Sequence, residues 1–251
     1  GITHLVEHAV LRMVQPVTLP HGGIVKEGSV EFYAAGHAEG VAGFLNAVAA
    51  AISNFSAIRE EDLALEKAII EAENPNGFSS VSSGLLTYRF GTSGLGAAHF
   101  GAPATTGLTK AEVIEWADRW LTTGNAALTF TGPLPGALNI RLPRGGAADR
   151  QVSHPVAMTP TLIKSQKSGV ALFFIVPSRN AGLLGQALSY ELLSRLRHDG
   201  GLIYSVVVFI TAIDTGESQL DLVLDPVEAN IVPALKTSLD TVRALALTGF
   251  S

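Results

Sequence analysis

Two histidines and one glutamate near the start of this 251-residue chain have the types and the spacing to hold a metal ion and use it. His4 and His8 are four residues apart, and Glu7 directly precedes the second histidine. On a helix, residues at i and i+4 lie on one face, so both imidazoles can bind a single ion. The Glu7 carboxylate projects beside them, where it can act on a water that the metal activates. An ordinary amphipathic helix can show the same spacing, so the motif needs a third ligand.

A helix predicted over residues 59–74 offers that third ligand. Catalytic zinc takes three protein ligands and keeps its fourth position for water, so a second element must contribute one side chain. The segment has apolar residues at helical spacing, an acidic first turn and an Asn-Pro-Asn-Gly stop. Its candidate ligands are Glu66, Glu71 and Glu73. Glu66 and Glu73 are seven apart and share a face, whereas Glu71 points elsewhere. The alternative is that all three are solvated.

The sequence around these residues resembles the pitrilysin/insulinase (M16) family of zinc peptidases, which includes mitochondrial processing peptidase and small bacterial relatives. The matching segments are Gly1–His8 and Leu65–Glu73, with a further match at Leu196–Ser205. The chain also departs from the family pattern. His21–Ile24 stands where the family has Asn-Ala-x-Thr, and the residues after the histidine motif lack the usual glycine.

The resemblance implies a role for each residue of the proposed metal site. By that match, His4, His8 and Glu73 are the ligands of one zinc ion per chain. Glu7 is the general base, and Glu66 is a carboxylate that supports a ligand from behind.

The downstream match adds two residues that lie seven apart. By the same resemblance, Arg197 and Tyr204 help to hold the backbone of a peptide substrate at the active site. Without the resemblance, the pair fits an ordinary helix end with a Gly200-Gly201 cap and a tyrosine that starts a strand. The motif upstream favours the substrate-binding interpretation.

We predict an α+β fold with two related α/β-type domains, each a mostly antiparallel sheet with helices packed on one side. The predicted domains span residues 1–140 and 160–251. They are joined by a linker at 141–159, which is rich in Pro, Gly and Ala. The second domain is expected to be truncated, and the first is expected to lack the strand that precedes its first helix.

An internal repeat supports this organisation. The strand–turn–helix pattern of residues 29–53 recurs position by position at residues 219–246, as expected of a duplicated unit. We also expect a buried strand at 125–132 and, from its continuous apolar run, a central strand at 206–210.

The composition excludes several classes of protein. The net charge is −5, with 17 basic and 22 acidic residues and no basic run, so a nucleic-acid partner is not expected. Mean hydropathy is +0.33, yet no segment approaches the ~20 apolar residues of a membrane span. The absence of cysteine excludes disulfides and thiolate metal sites. We expect a bacterial cytoplasmic protein, with a targeting segment upstream of Gly1 left open because the chain begins inside a motif.

We therefore expect a zinc-dependent metalloendopeptidase that cleaves oligopeptides, leader peptides or presequences. The resemblance implies a homodimer, or a heterodimer with an M16-like subunit, in which the substrate lies as an added strand. The alternative is a non-catalytic M16-like partner or scaffold subunit, although relatives of that kind normally lose the zinc motif. An unrelated α/β binding protein has little support, because the sequence has neither a phosphate-binding glycine loop nor a nucleophile elbow.

Overall fold

Helices make up most of the chain, and short antiparallel sheets accompany them. The computed structural model describes residues 1–14, 16–26, 28–73, 83–97, 105–147, 154–157, 159–164, 168–213 and 216–249. The α-helices of these residues are α1 (Ile2–Val14), α2 (Ala38–Ser53), α3 (Glu60–Glu73), α4 (Ser83–Phe90), α5 (Lys110–Trp120), α6 (Ser178–Leu192) and α7 (Ile231–Thr248). The strands are β1 (His21–Val25), β2 (Val30–Ala34), β3 (Val170–Pro177), β4 (Val206–Ala212) and β5 (Glu217–Leu224).

The chain divides into two compact units. The first contains residues 1–77 and 100–151, and the second contains residues 78–99 and 152–251. The division into domains at 1–140 and 160–251, joined by a linker at 141–159, stays a prediction.

The first unit is built around α1. Four of its side chains, Leu5, Val6, Ala9 and Val10, are fully buried, and their spacing puts them on one face of the helix. Helix α1 packs against α2, α3 and α5 and against the β1–β2 hairpin. Burial of these side chains fixes α1 in the core, so the residues on its other face have defined positions.

The second unit contains a three-stranded antiparallel sheet in the order β3-β5-β4. Leu220, Leu222 and Leu224 of the central strand are fully buried and belong to one core with Leu188 and Leu192 of α6. Helix α6 contacts all three strands, and α7 packs against α6 and β3. Helix α6 runs on into a π-helical turn, residues 193–199.

The predicted α+β class with antiparallel sheets is confirmed. Both strand–helix units of the predicted repeat also form, as β2 followed by α2 and as β5 followed by α7. None of the helices in the described part of the chain is long and apolar enough to cross a membrane.

Two strand predictions were wrong. Residues 123–125 form a 3₁₀ turn, and residues 126–132 are largely exposed and form no strand. An apolar run becomes a strand only where a neighbour accepts its hydrogen bonds. The apolar strand β4 is an edge strand, with Phe209 and Ile210 about half exposed. The central position belongs to β5, whose polar Gln219 and Asp221 are buried.

Candidate metal centre

Helix α1 presents His4, Glu7 and His8 beside its buried face. His4 has 34% of its side chain exposed and His8 has 15%. The two rings meet edge to face, with centroids 4.6 Å apart. Their Nε2 atoms are 3.1 Å apart, so both nitrogens point at the same small volume.

Helix α3 brings Glu73 to this volume and places Glu66 on the opposite side of the His8 ring, beside Nδ1. Leu63, Glu66 and Ile70 are buried and form one stripe on α3, and Glu73 continues that stripe by another turn. The carboxylate of Glu73 therefore reaches the histidines of α1. Glu71 lies off the stripe and is exposed.

The ligand atoms of His4, His8 and Glu73 lie close enough together to hold one ion. From His4 Nε2 to Glu73 Oε2 the distance is 3.6 Å, and from His8 Nε2 to Glu73 Oε1 it is 3.7 Å. Zinc bonds of 2.0–2.1 Å at tetrahedral angles require ligand atoms about 3.3 Å apart. The two Glu73 distances end on different oxygens of its carboxylate, so the support for a metal is the proximity of the three side chains and their donor set. Two imidazoles and one carboxylate are the donors of a catalytic zinc site.

The carboxylate of Glu7 borders the same volume. Its Oε2 lies 3.8 Å from His4 Nε2 and 3.7 Å from His8 Nε2, and the residue is only 5% exposed. Burial raises the pKa of the Glu7 carboxyl. His8 opposes this shift, and the negative charge of Glu73 adds to it. A carboxylate with a raised pKa accepts a proton more readily, as a general base must.

Strand β1 closes the site on the side of Glu7. A Cβ atom at Gly23 would overlap the Glu7 carboxylate, so only glycine fits there with the side chain in this position. The glycine pair in β1 is the one sequence signal for this contact, because glycine within a strand often marks a close approach.

Burial lowers the pKa of His4, and the neighbouring His8 lowers it further, while Glu73 acts in the opposite direction. A lowered pKa keeps the imidazole neutral at neutral pH. A neutral imidazole has a free nitrogen lone pair, which is the form that binds a metal.

Glu66 lies behind His8 and is 5% exposed. Its Oε2 is 2.9 Å from His8 Nδ1, and its Oε1 accepts a hydrogen bond from Arg12 Nε. Sequence reasoning predicted Glu66 in this position but missed Arg12. The available signal was its spacing, because Arg12 follows His8 by four residues and shares its helix face.

Arg197 and Tyr204 belong to the second unit and lie together there. The Arg197 guanidinium lies over the Tyr204 ring, 4.7 Å from its centroid, and the ring is mostly exposed. Gly201, with φ of +58°, makes the turn between them. Asp225 accepts hydrogen bonds from the backbone N–H groups of Tyr204 and Ser205, at 2.9 and 2.6 Å.

Comparison with known proteins rests on structure, since no family model and no curated protein matches the chain. An inactive peptidase M16 domain from Pseudomonas fluorescens superposes with a TM-score of 0.66 and 14% identity, over 100% of this chain and 70% of that one. The chain has the M16 peptidase fold.

Two further structures share the M16 fold. A chain of complex III2 from Candida albicans gives a TM-score of 0.65 at 14% identity, over 98% of this chain and 72% of that one. The periplasmic protease PqqL from Escherichia coli gives 0.55 at 13% identity, over 100% of this chain and 33% of PqqL. These structures include a protease and an inactive domain, so the M16 fold alone does not decide between catalysis and a scaffold role.

Proposed function

We propose that this protein is a zinc-dependent metalloendopeptidase. The observation that carries the proposal is the convergence of His4, His8 and Glu73 on one small volume, with the buried Glu7 carboxylate at its edge. A buried carboxylate of raised pKa beside these three side chains is typical of a functional site and favours this proposal over a chance cluster.

Bound zinc would polarise the peptide carbonyl and lower the pKa of the attacking water. Glu7 takes the proton of that water and later donates it to the leaving amine. A carboxylate whose pKa is raised by burial suits the first step, because it accepts a proton more readily than an ordinary carboxylate does. Glu66 holds His8 from behind through its Nδ1 atom.

Arg197 and Tyr204 orient the backbone of the peptide in this proposal. The exposed Tyr204 ring and the guanidinium stacked on it offer hydrogen-bond donors to a peptide carbonyl. Unfolded oligopeptides, leader peptides and presequences are the proposed substrates, cleaved by a homodimer or by a heterodimer with an M16-like subunit.

A non-catalytic subunit is the second candidate function. Its support is the likeness to the inactive M16 domain and to a chain of complex III2, at TM-scores of 0.66 and 0.65. A scaffold has no need of a buried carboxylate beside three side chains that can hold an ion, so this arrangement favours the peptidase.

Peptide hydrolysis by the zinc-loaded protein and by its Glu7→Gln variant tests the proposal. Glutamine has the shape of glutamate but accepts no proton at neutral pH. We expect hydrolysis of a quenched fluorescent peptide by the unchanged protein and a loss of at least about 100-fold in the variant, with zinc content retained. Equal activity in the two proteins would refute Glu7 as the base, and absence of zinc from both would refute the metal site.

A further inference from the structure

Helices α1 and α3 carry two buried carboxylates, Glu7 and Glu66. Among the described residues, Arg12 is the one arginine or lysine that forms an ion pair with either of them. It lies one turn after His8 on α1, and its Nε donates a hydrogen bond to Glu66 Oε1. The two residues are 54 positions apart in sequence and form an ion pair. The side chain of Arg12 remains one-third exposed, so its charge lies at the edge of the site.

The two oxygens of Glu66 therefore have different partners. Oε1 accepts from Arg12, and Oε2 accepts from the Nδ1–H of His8 at 2.9 Å. A neutral imidazole that donates through Nδ1 keeps its lone pair on Nε2. His8 Nε2 is the atom that faces His4 and Glu73. Arg12 contacts Glu66, and Glu66 in turn accepts the proton of His8 Nδ1. These two contacts together leave Nε2 as the His8 nitrogen that is free for a metal.

Packing alone does not hold the Glu66 carboxylate in this orientation. An open cavity of about 260 Å³ borders it, lined by His8, Leu11, Arg12 and Glu66. Without the guanidinium, the carboxylate has room to rotate about its last bond, and water has room to compete for the Nδ1–H of His8. The contact with Arg12 removes that freedom.

We propose that Arg12 is a positioning residue for the metal site. It holds Glu66 in the orientation that directs His8 Nε2 towards the ion, and it touches neither the ion nor the substrate. This inference rests on the proposed zinc site and adds to it a residue outside the ligand set. Outer partners of this kind typically change metal affinity by about 10- to 100-fold.

Zinc affinity of the metal-free protein tests the proposal without reference to activity. The dissociation constant for Zn²⁺ is measured by competition with a chromophoric chelator for the unchanged protein, Arg12→Met, Arg12→Lys, Glu66→Gln and the double variant Arg12→Met/Glu66→Gln. Arg59→Met is the matched control, since Arg59 is paired with Asp62 of the same helix α3 but not with Glu66.

We expect Arg12→Met to bind zinc about tenfold more weakly, and Arg59→Met to bind it normally. Arg12→Lys should recover most of the loss, because a single contact to one oxygen needs a charge and not a fork of donors. In the double variant, loss of Arg12 should add little to the effect of Glu66→Gln, because Arg12 acts through that carboxylate.

Three results would overturn the proposal: full zinc affinity in Arg12→Met, an equal loss in Arg59→Met, or losses that simply add in the double variant. If Arg12→Met does not fold, as judged by circular dichroism, Arg12→Gln replaces it in the same cycle. Failure of the unchanged protein to bind zinc would refute the proposed function, and the role of Arg12 with it. If the unchanged protein binds zinc and Arg12→Met binds it equally tightly, the role of Arg12 is refuted and the proposed function is not.

Discussion

The Glu7 carboxylate lies against the backbone of Gly23, at a point where a Cβ atom would overlap it. Helix α1 carries Glu7 and strand β1 carries Gly23, so the position of the proposed base depends on how these two elements pack. The neighbouring Gly22 faces Tyr33 of β2 instead, where a Cβ would lie 2.7 Å from the hydroxyl oxygen. The two glycines therefore form a matched pair for substitution.

Gly23→Ala should lower peptidase activity by about 100-fold, because a displacement of a reacting group by about 1 Å can cost that much. Zinc affinity should stay within about threefold of normal, because Gly23 is no candidate ligand. Gly22→Ala is the control: it meets the end of a half-exposed tyrosine that can move away. Equal activities of the two variants would show that Glu7 does not need the space at Gly23.

Stability of the metal-free protein should depend on pH through Glu7. Its folded-state pKa is raised by burial, so the folded protein binds this proton more tightly than the unfolded chain does. The stability due to this group is fully present below the ordinary pKa of 4.5 and is lost as the pH rises through the folded value. Glu7→Gln should therefore raise the melting temperature at pH 7 and have much less effect at pH 4. A larger rise at pH 4 would contradict the raised pKa.

The zinc affinities of Glu73→Gln and Glu71→Gln compare a proposed ligand with a neighbouring glutamate on the same helix. Both changes remove one negative charge near the end of α3, but only Glu73 lies within reach of the two histidines. We expect Glu73→Gln to weaken zinc binding by more than about 100-fold and Glu71→Gln to leave it within about threefold. Calorimetric titration with Zn²⁺ measures both, and a similar affinity in the two variants would remove Glu73 from the ligand set.

Asp225 should support the proposed peptide-binding pair in the second unit. Burial acts to raise its pKa, but hydrogen bonds from Ser205 and Tyr204 outweigh it, and the net pKa is lowered. Asp225→Ala removes the acceptor that holds the Tyr204 backbone, and we expect KM for a peptide to rise by about tenfold with a smaller change in kcat. Asp240→Ala, another exposed aspartate of this unit, is the control. An unchanged KM in Asp225→Ala would show that the turn keeps its shape without Asp225.

Helical periodicity was enough to predict which residues share a face. The spacing of His4 and His8, and of Glu66 and Glu73, follows from 3.6 residues per turn, and the structure brings these four side chains together. The exclusion of Glu71 from this group follows from the same rule. Such predictions succeed because they use contacts within a helix, which local sequence determines.

Contacts between distant elements could not be predicted in the same way. Arg12 meets Glu66 only because α1 packs against α3, and Gly23 meets Glu7 only because β1 packs against α1. The predicted central position of the strand at 206–210 was wrong for a related reason. The hydrophobicity of β4 predicted a central strand, but β5 is the strand that lies between two others. Its polar Asp221 is buried by the elements around it and not because of its own hydrophobicity.

Peptide hydrolysis measured against zinc equivalents per chain tests the central claim most directly. Metal-free protein is titrated with Zn²⁺, and cleavage of a quenched fluorescent peptide is recorded at each step. We expect activity to rise to a break at one equivalent, and Glu7→Gln to bind the same equivalent without activity. One tightly bound zinc with no hydrolysis at any step would contradict the peptidase and leave a metal-binding M16 scaffold.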